Sequence, residues 1–204
     1  MTLIYGNPAY SAIEGIQQSI LLRELISKGA LDSVLGLTPP SLERSGAEIL
    51  ELIDMGKHIG PDRMTYIEEC EWNLYGVYSS FLQSYGIDVP VEIIEQELQV
   101  FDPIENYLKI KYNRPRPFQV AGVLNLPLFP RLKTDASSAA YPSGHTLTSM
   151  WFRHLYMKRY PHLKDDLMDL ALDVKKTREE GGVHYPSDGA FAILVYHRLK
   201  DYIV

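Results

Sequence analysis

A single cysteine, Cys70, stands among the 204 residues. One thiol excludes a disulfide framework within the chain and any multi-cysteine zinc or iron–sulfur site. Long hydrophobic runs are missing as well. The longest clear one, Ala190 to Tyr196, has seven residues, against the roughly 18 that a bilayer span needs. The opening stretch MTLIYGNPAYSAIEG has neither the basic n-region nor the apolar h-region of a signal peptide, so the expectation is a cytoplasmic protein without a transmembrane segment. Alternating strand patterns are nearly absent, and no internal repeat is visible. Positive charge is not in excess either: 26 acids against 20 bases leave a net charge of −6. That balance excludes a general polyanion binder, and no stable nucleic-acid partner is expected.

What is present is helical periodicity over a length suited to one domain. The expected fold class is all-α, a compact single-domain bundle of roughly seven helices spanning 1–204. Spacing predicts helices over 9–28, from Thr38-Pro39-Pro40 to about Gly56, over 62–85 and over 91–112. Three more are predicted at about 143–160, 161–180 and 186–202. The second helix is expected to bury Leu42, Ile49, Leu50 and Ile53. Residues 113–142, with five prolines, read as one long functional loop. A homodimer is expected only as bundles of this size often pair.

Charge is unevenly divided. Residues 1–100 carry −10 and residues 101–204 carry +4, which points to a focused anion site inside an acidic protein. Three motifs in the second half fit such a site. In Lys109-x6-Arg116-Pro117, a point charge on a flexible stem joins a guanidinium fork, a pairing suited to phosphate. In Tyr141-Pro142-Ser143-Gly144-His145, Ser143 is placed to N-cap the helix opened by Gly144. That aims free backbone N–H groups and the positive dipole end at one spot, with His145 in the first turn able to hold a proton. In Arg178-x5-His184-x3-Asp188, the carboxylate can fix the imidazole tautomer and raise the nucleophilicity of the other ring nitrogen. Each motif alone is as well explained by capping and dipole pairing. Together they supply three cations, an N–H nest, an oriented histidine and a second histidine, an inventory for phosphoryl transfer through a covalent intermediate.

With these residues in order, the chain resembles the phosphatidic acid phosphatase type 2 superfamily. Its members include soluble acid phosphatases, membrane lipid phosphatases and vanadium-dependent haloperoxidases. The signature K-x6-RP, PSGH and SR-x5-H-x3-D is matched at Lys109, Arg116 and Pro117, at Pro142 to His145, and at Arg178, His184 and Asp188, with Thr177 in place of the signature serine. The match covers 109–188; the first 100 residues carry none of it. The resemblance implies an enzyme, a phosphoric monoester hydrolase acting on a small phosphorylated substrate without a metal or other cofactor. His184 would attack phosphorus, Asp188 would orient it, and His145 would protonate the leaving oxygen. Lys109, Arg116, Ser143, Gly144 and Arg178 would hold the phosphate oxygens. The alternatives are a haloperoxidase holding vanadate on the same residues, and a phosphate-binding pseudoenzyme. Lys111 and Arg114 are expected to take a second phosphate, making nucleotides or diphosphates candidate substrates. The Asp165-Asp166-x-x-Asp169 run is read as a solvated face, and Cys70 as a small core residue.

Overall fold

In a computed structural model, which describes residues 15–133 and 138–203, the chain is all-helical with no strand among the described residues. The helices are α1 (Ile20–Ser27), α2 (Asp32–Leu35), α3 (Leu42–Gly56), α4 (Pro61–Trp72), α5 (Leu74–Ser84), α6 (Val91–Gln99), α7 (Asp102–Tyr112), α8 (Pro117–Leu124), α9 (Gly144–Arg159), α10 (Lys164–Glu180) and α11 (Pro186–Leu199). Single 3-10 turns at Pro161–Leu163 and Lys200–Tyr202 lead into α10 and follow α11. No described helix is long and apolar enough to cross a membrane.

The excess over seven helices comes from breaks that periodicity passes over. The helix expected over 62–85 is two, because Asn73 leaves helical geometry at φ −143°, ψ 42°. The one expected over 91–112 is also two. Pro103 lacks the N–H that a continuous helix needs, and its ring would strike the carbonyl four residues back; it sits instead in the first turn of α7. Residues 113–142 contain α8, started by Pro117 at a position where the N–H is dispensable. The helix expected over 9–28 breaks at Ser19, whose hydroxyl accepts the Leu22 N–H and caps α1; its first part, and the 134–137 portion of the expected loop, lie outside the described residues. The helix after Thr38 starts three residues later, with Ser41 capping Arg44 N–H.

α9 is the axis of the bundle. Leu147, Met150, Trp151, Phe152 and Tyr156 project from several sides of it and are all buried, against α10, α11, α6 and α7. Phe101 stacks on Trp151 at 4.4 Å and Tyr78 on Phe152 at 4.1 Å. Side chains of this size each contribute about 2–3 kcal/mol on full burial. Cys70 is fully buried in the same cluster. A smaller cluster joins Ile49 and Leu52 of α3 to Val120 and Ala121 of α8 and to Tyr185. Its α3 face differs from the expected one: Leu42 and Leu50 are 58% and 55% exposed, while Ser45 and Glu48 point inward. Those two polar residues are part of the site.

Candidate functional site

The three motifs meet at the start of α9. α10 carries Arg178 in its last turn, and the chain then reverses through Gly181 and Gly182. Gly182 sits at φ +74°, a conformation costly to any residue with a Cβ. The reversal places the N–H groups of both Val183 and His184 on the Arg178 carbonyl, so His184 lies next to Arg178. α11 follows at once. Asp188 in its first turn accepts the N–H of Tyr185 at 2.9 Å and faces His184 Nδ1 at 3.2 Å through the same oxygen, Oδ2. One carboxylate thus caps the helix and orients the imidazole.

The opposite ring nitrogen, His184 Nε2, lies 2.8 Å from Arg116 Nη1. A guanidinium only donates, so Nε2 accepts, and the ring proton is on Nδ1, directed at Asp188. His184 is buried. Burial and the neighbouring Arg116, Lys109 and Arg178 hold its pKa well below that of a free imidazole. It is a neutral base with its lone pair turned toward the cations.

Arg116, the residue before α8, also donates to the carbonyls of Val183 and Ser138 and to the Ser138 hydroxyl. Lys109, in the last turn of α7, reaches the same Ser138 hydroxyl at 3.2 Å and pairs with Glu105 at 2.8 Å. Ser138 therefore bridges the two cations. Arg178 is 3% exposed and pairs through Nη2 with Glu71, while Nε and Nη1 meet no partner among the described residues. Burial lowers the pKa of all three cations, Arg116 to about 10.

Ser143 occupies the N-cap position of α9, but its side chain does not cap it. Its hydroxyl accepts from Thr146 Oγ1 at 2.9 Å, and its own N–H donates to the Asp188 carbonyl. The expectation of a Ser143 cap is corrected: the third-residue hydroxyl has taken the place of the backbone donor, which leaves the first N–H groups of α9 without an internal acceptor. Gly144 lets the Glu105 carboxylate pack against the start of α9; a Cβ there would push that carboxylate aside. His145 is half-buried. Burial and the fields of Arg178, Lys109 and Arg116 depress its pKa well below 6.5, opposed by a hydrogen bond to the Glu71 carbonyl.

Arg114 is not available for a second phosphate. It is buried behind Asp188, 2.5 Å from its Oδ1, and also binds Glu48, Ser45 and Ser187. Its guanidinium lies 3.8 Å above the Tyr185 ring. Glu48 in turn accepts the N–H and hydroxyl of Ser187. A buried row runs Glu48–Arg114–Asp188–His184–Arg116. Burial pushes the Asp188 carboxyl up to about 7, while Arg114, the Tyr185 N–H and Arg116 pull it back. Lys111 is exposed on α7, away from this row.

Motif reading missed Glu48, Ser45, Glu71, Glu105 and Ser138. Glu105 was legible as the residue four before Lys109. Ser45 and Glu48 were legible only if the apolar stripe of α3 had been phased on Ile49 and Leu52. Nothing local marks Glu71 or Ser138. Comparisons of the chain with models of known protein families, with curated proteins and with solved structures find no match.

Proposed function

We propose that the chain is a phosphomonoesterase that works through a phosphohistidine, with the chemistry of the phosphatidic acid phosphatase type 2 superfamily. The observation that carries the reading is the tautomer of His184: its Nε2 lone pair faces a cluster of cations, and its Nδ1–H is directed at Asp188. A neutral, oriented imidazole among buried cations is what in-line attack on a phosphate ester requires.

A phosphate takes over the donors of Arg116, Lys109 and Arg178, including Arg178 Nε and Nη1, together with the first N–H groups of α9. His184 Nε2 attacks phosphorus, and the P–N bond forms as the bond to the ester oxygen breaks. The bound phosphate offsets the positive field around His145, which takes up a proton on binding and gives it to that oxygen. In the second half, His145 takes a proton from water, the water oxygen bonds to phosphorus and the P–N bond breaks. Inorganic phosphate and neutral His184 result. Asp188 stabilises the cationic ring in both steps and Arg114 holds Asp188.

The test is phosphate release from an aryl phosphate in excess EDTA, with and without vanadate, together with rapid quench of the labelled protein. Turnover that survives EDTA, is blocked by vanadate and passes through an acid-labile, base-stable phosphoprotein is expected. The His184→Ala variant is expected to lose both turnover and label. Undiminished turnover in that variant, or an acid-stable label, overturns the reading.

A further inference from the structure

A cavity of about 540 Å³ opens beside the cation cluster, between the end of α4, the starts of α5 and α7, α6 and the first turn of α9. Gly144 and His145 form one wall. In the mechanism above, His145 is the proton donor to the departing oxygen, so this cavity is where the alcohol portion of the substrate lies. The inference that follows rests on that reading.

The lining is unlike the anion cradle it adjoins. Four carboxylates face it: Glu71, Glu95, Asp102 and Glu105. Two are matched, Glu71 by Arg178 and Glu105 by Lys109. Glu95 and Asp102 form no ion pair among the described residues; Glu95 accepts only the side-chain amide of Gln99. Like charge outweighs the nearest cation there: burial together with the nearby Glu105 and Glu95 pushes the Asp102 carboxyl up to about 7, with Lys109 pulling it back only in part. A cation in the cavity relieves that repulsion.

The geometry and the lining select the kind of cation. No group of three or more histidine, cysteine, aspartate or glutamate side chains among the described residues is arranged to hold a metal ion. The cavity is also many times the roughly 30 Å³ that a water occupies in the liquid. Trp72 and Tyr75 contribute aromatic surface to the lining, and Trp72 is 67% exposed. Carboxylates with aromatic faces recognise organic ammonium groups through charge and the ring quadrupole. The anion site adjoins this cavity through one ion pair: Arg178, 3% exposed and with two nitrogens lacking a partner among the described residues, is paired with Glu71, which lines the cavity.

We infer that the substrates are phosphate monoesters of ammonium-bearing alcohols, the phosphate held by Lys109, Arg116 and Arg178 and the ammonium by the Glu95, Asp102, Trp72 and Tyr75 cavity.

The experiment compares kcat/KM for choline phosphate with that for its uncharged isostere, in which carbon replaces the quaternary nitrogen. A preference of roughly tenfold or more for the cation is expected. The double variant Glu95→Gln, Asp102→Asn is expected to bring the ratio close to one. Hydrolysis of both esters at equal rates by the unaltered protein overturns the inference and leaves the phosphatase reading standing. If neither ester is hydrolysed while an aryl phosphate is, the inference falls and the phosphatase reading stands; if none of the three is hydrolysed, the phosphatase reading falls and binding decides the cavity. Because Trp151 is fully buried and Trp72 lines the cavity, saturable quenching of tryptophan fluorescence by choline but not by its neutral isostere supports the cation pocket. Quenching by both or by neither overturns it.

Discussion

Asp188 does three things with two oxygens: it caps α11, orients His184 and neutralises Arg114. Asp188→Asn keeps the shape but presents an amide that can donate to Nδ1 and reverse the tautomer. In a serine protease triad the equivalent change costs about 10⁴ in kcat. A loss of about 10³-fold or more in kcat, with KM little changed, is expected here, and steady-state kinetics on an aryl phosphate check it. Arg114 and Glu48 test the row behind it. Glu48→Ala leaves a buried guanidinium with one carboxylate fewer, and breaking a buried pair costs about 3–5 kcal/mol. Denaturant unfolding should show a loss on that scale. Lys111→Ala, on an exposed side chain, is expected to leave stability within about 0.5 kcal/mol and to have no selective effect on KM for diphosphates.

Helix junctions do the positioning. Lys109 ends α7, Arg116 precedes α8, Gly144 opens α9, Arg178 ends α10, and His184 with Asp188 straddles the start of α11. Pro117, Pro186 and the Gly181-Gly182 pair mark three of these junctions in the sequence, and although α8 lies in the expected loop, α9, α10 and α11 were read to within a few residues. The breaks at Asn73 and Pro103 were not, and their consequences are functional: they set the end of α4 and the start of α7, and so the placing of Glu71 and Glu105. Gly144→Ala probes one such contact. Its new methyl group would strike the Glu105 carboxylate, the partner of Lys109. We expect that carboxylate to swing aside and its pair with Lys109 to weaken, a loss of up to about 1 kcal/mol. Adding Glu105→Ala should recover part of that loss, giving a coupling above about 0.5 kcal/mol in a double-mutant cycle. Strict additivity would show that the two residues do not meet.

Across the whole molecule, the charge imbalance between the halves becomes a set of pairings. Glu48 and Glu71 from the acidic half meet Arg114 and Arg178 from the basic half, while Arg63 crosses the other way to Asp173 and Glu180. Asp173, which belongs to the acidic face of α10, is therefore an ion-pair partner, whereas Asp165, Asp166 and Asp169 are exposed as expected. Burial and the summed positive field keep both site histidines neutral. A bound oxyanion offsets that field and raises the pKa of His145, so phosphate or vanadate binding near neutral pH should take up a proton. Calorimetry in two buffers of different ionisation enthalpy measures this; proton release would contradict it. Asp102 gives the opposite pH signature. Its folded pKa of about 7 lies above the 3.8 of a free aspartate side chain, so the native state binds the extra proton between these values and is progressively penalised as pH rises through them. Asp102→Asn removes the penalty. The variant should gain thermal stability near pH 8, about 2–4 °C for each kcal/mol relieved, with the gain shrinking toward about pH 4.

The helical class, the helices α9 to α11 and the membership of the cation cluster followed from the sequence alone, because periodicity, proline, glycine and short-range motif spacing are local properties. Tertiary structure decided which nitrogen of His184 carries the proton, that Arg114 serves Asp188 rather than substrate, and that Thr146 displaces the backbone from Ser143. It also decided that carboxylates 107 and 66 residues before Arg178 and Arg114 in the chain, at Glu71 and Glu48, supply the site's counter-charge. These depend on contacts between elements distant in sequence, where burial strengthens each charge and no local pattern records the partner.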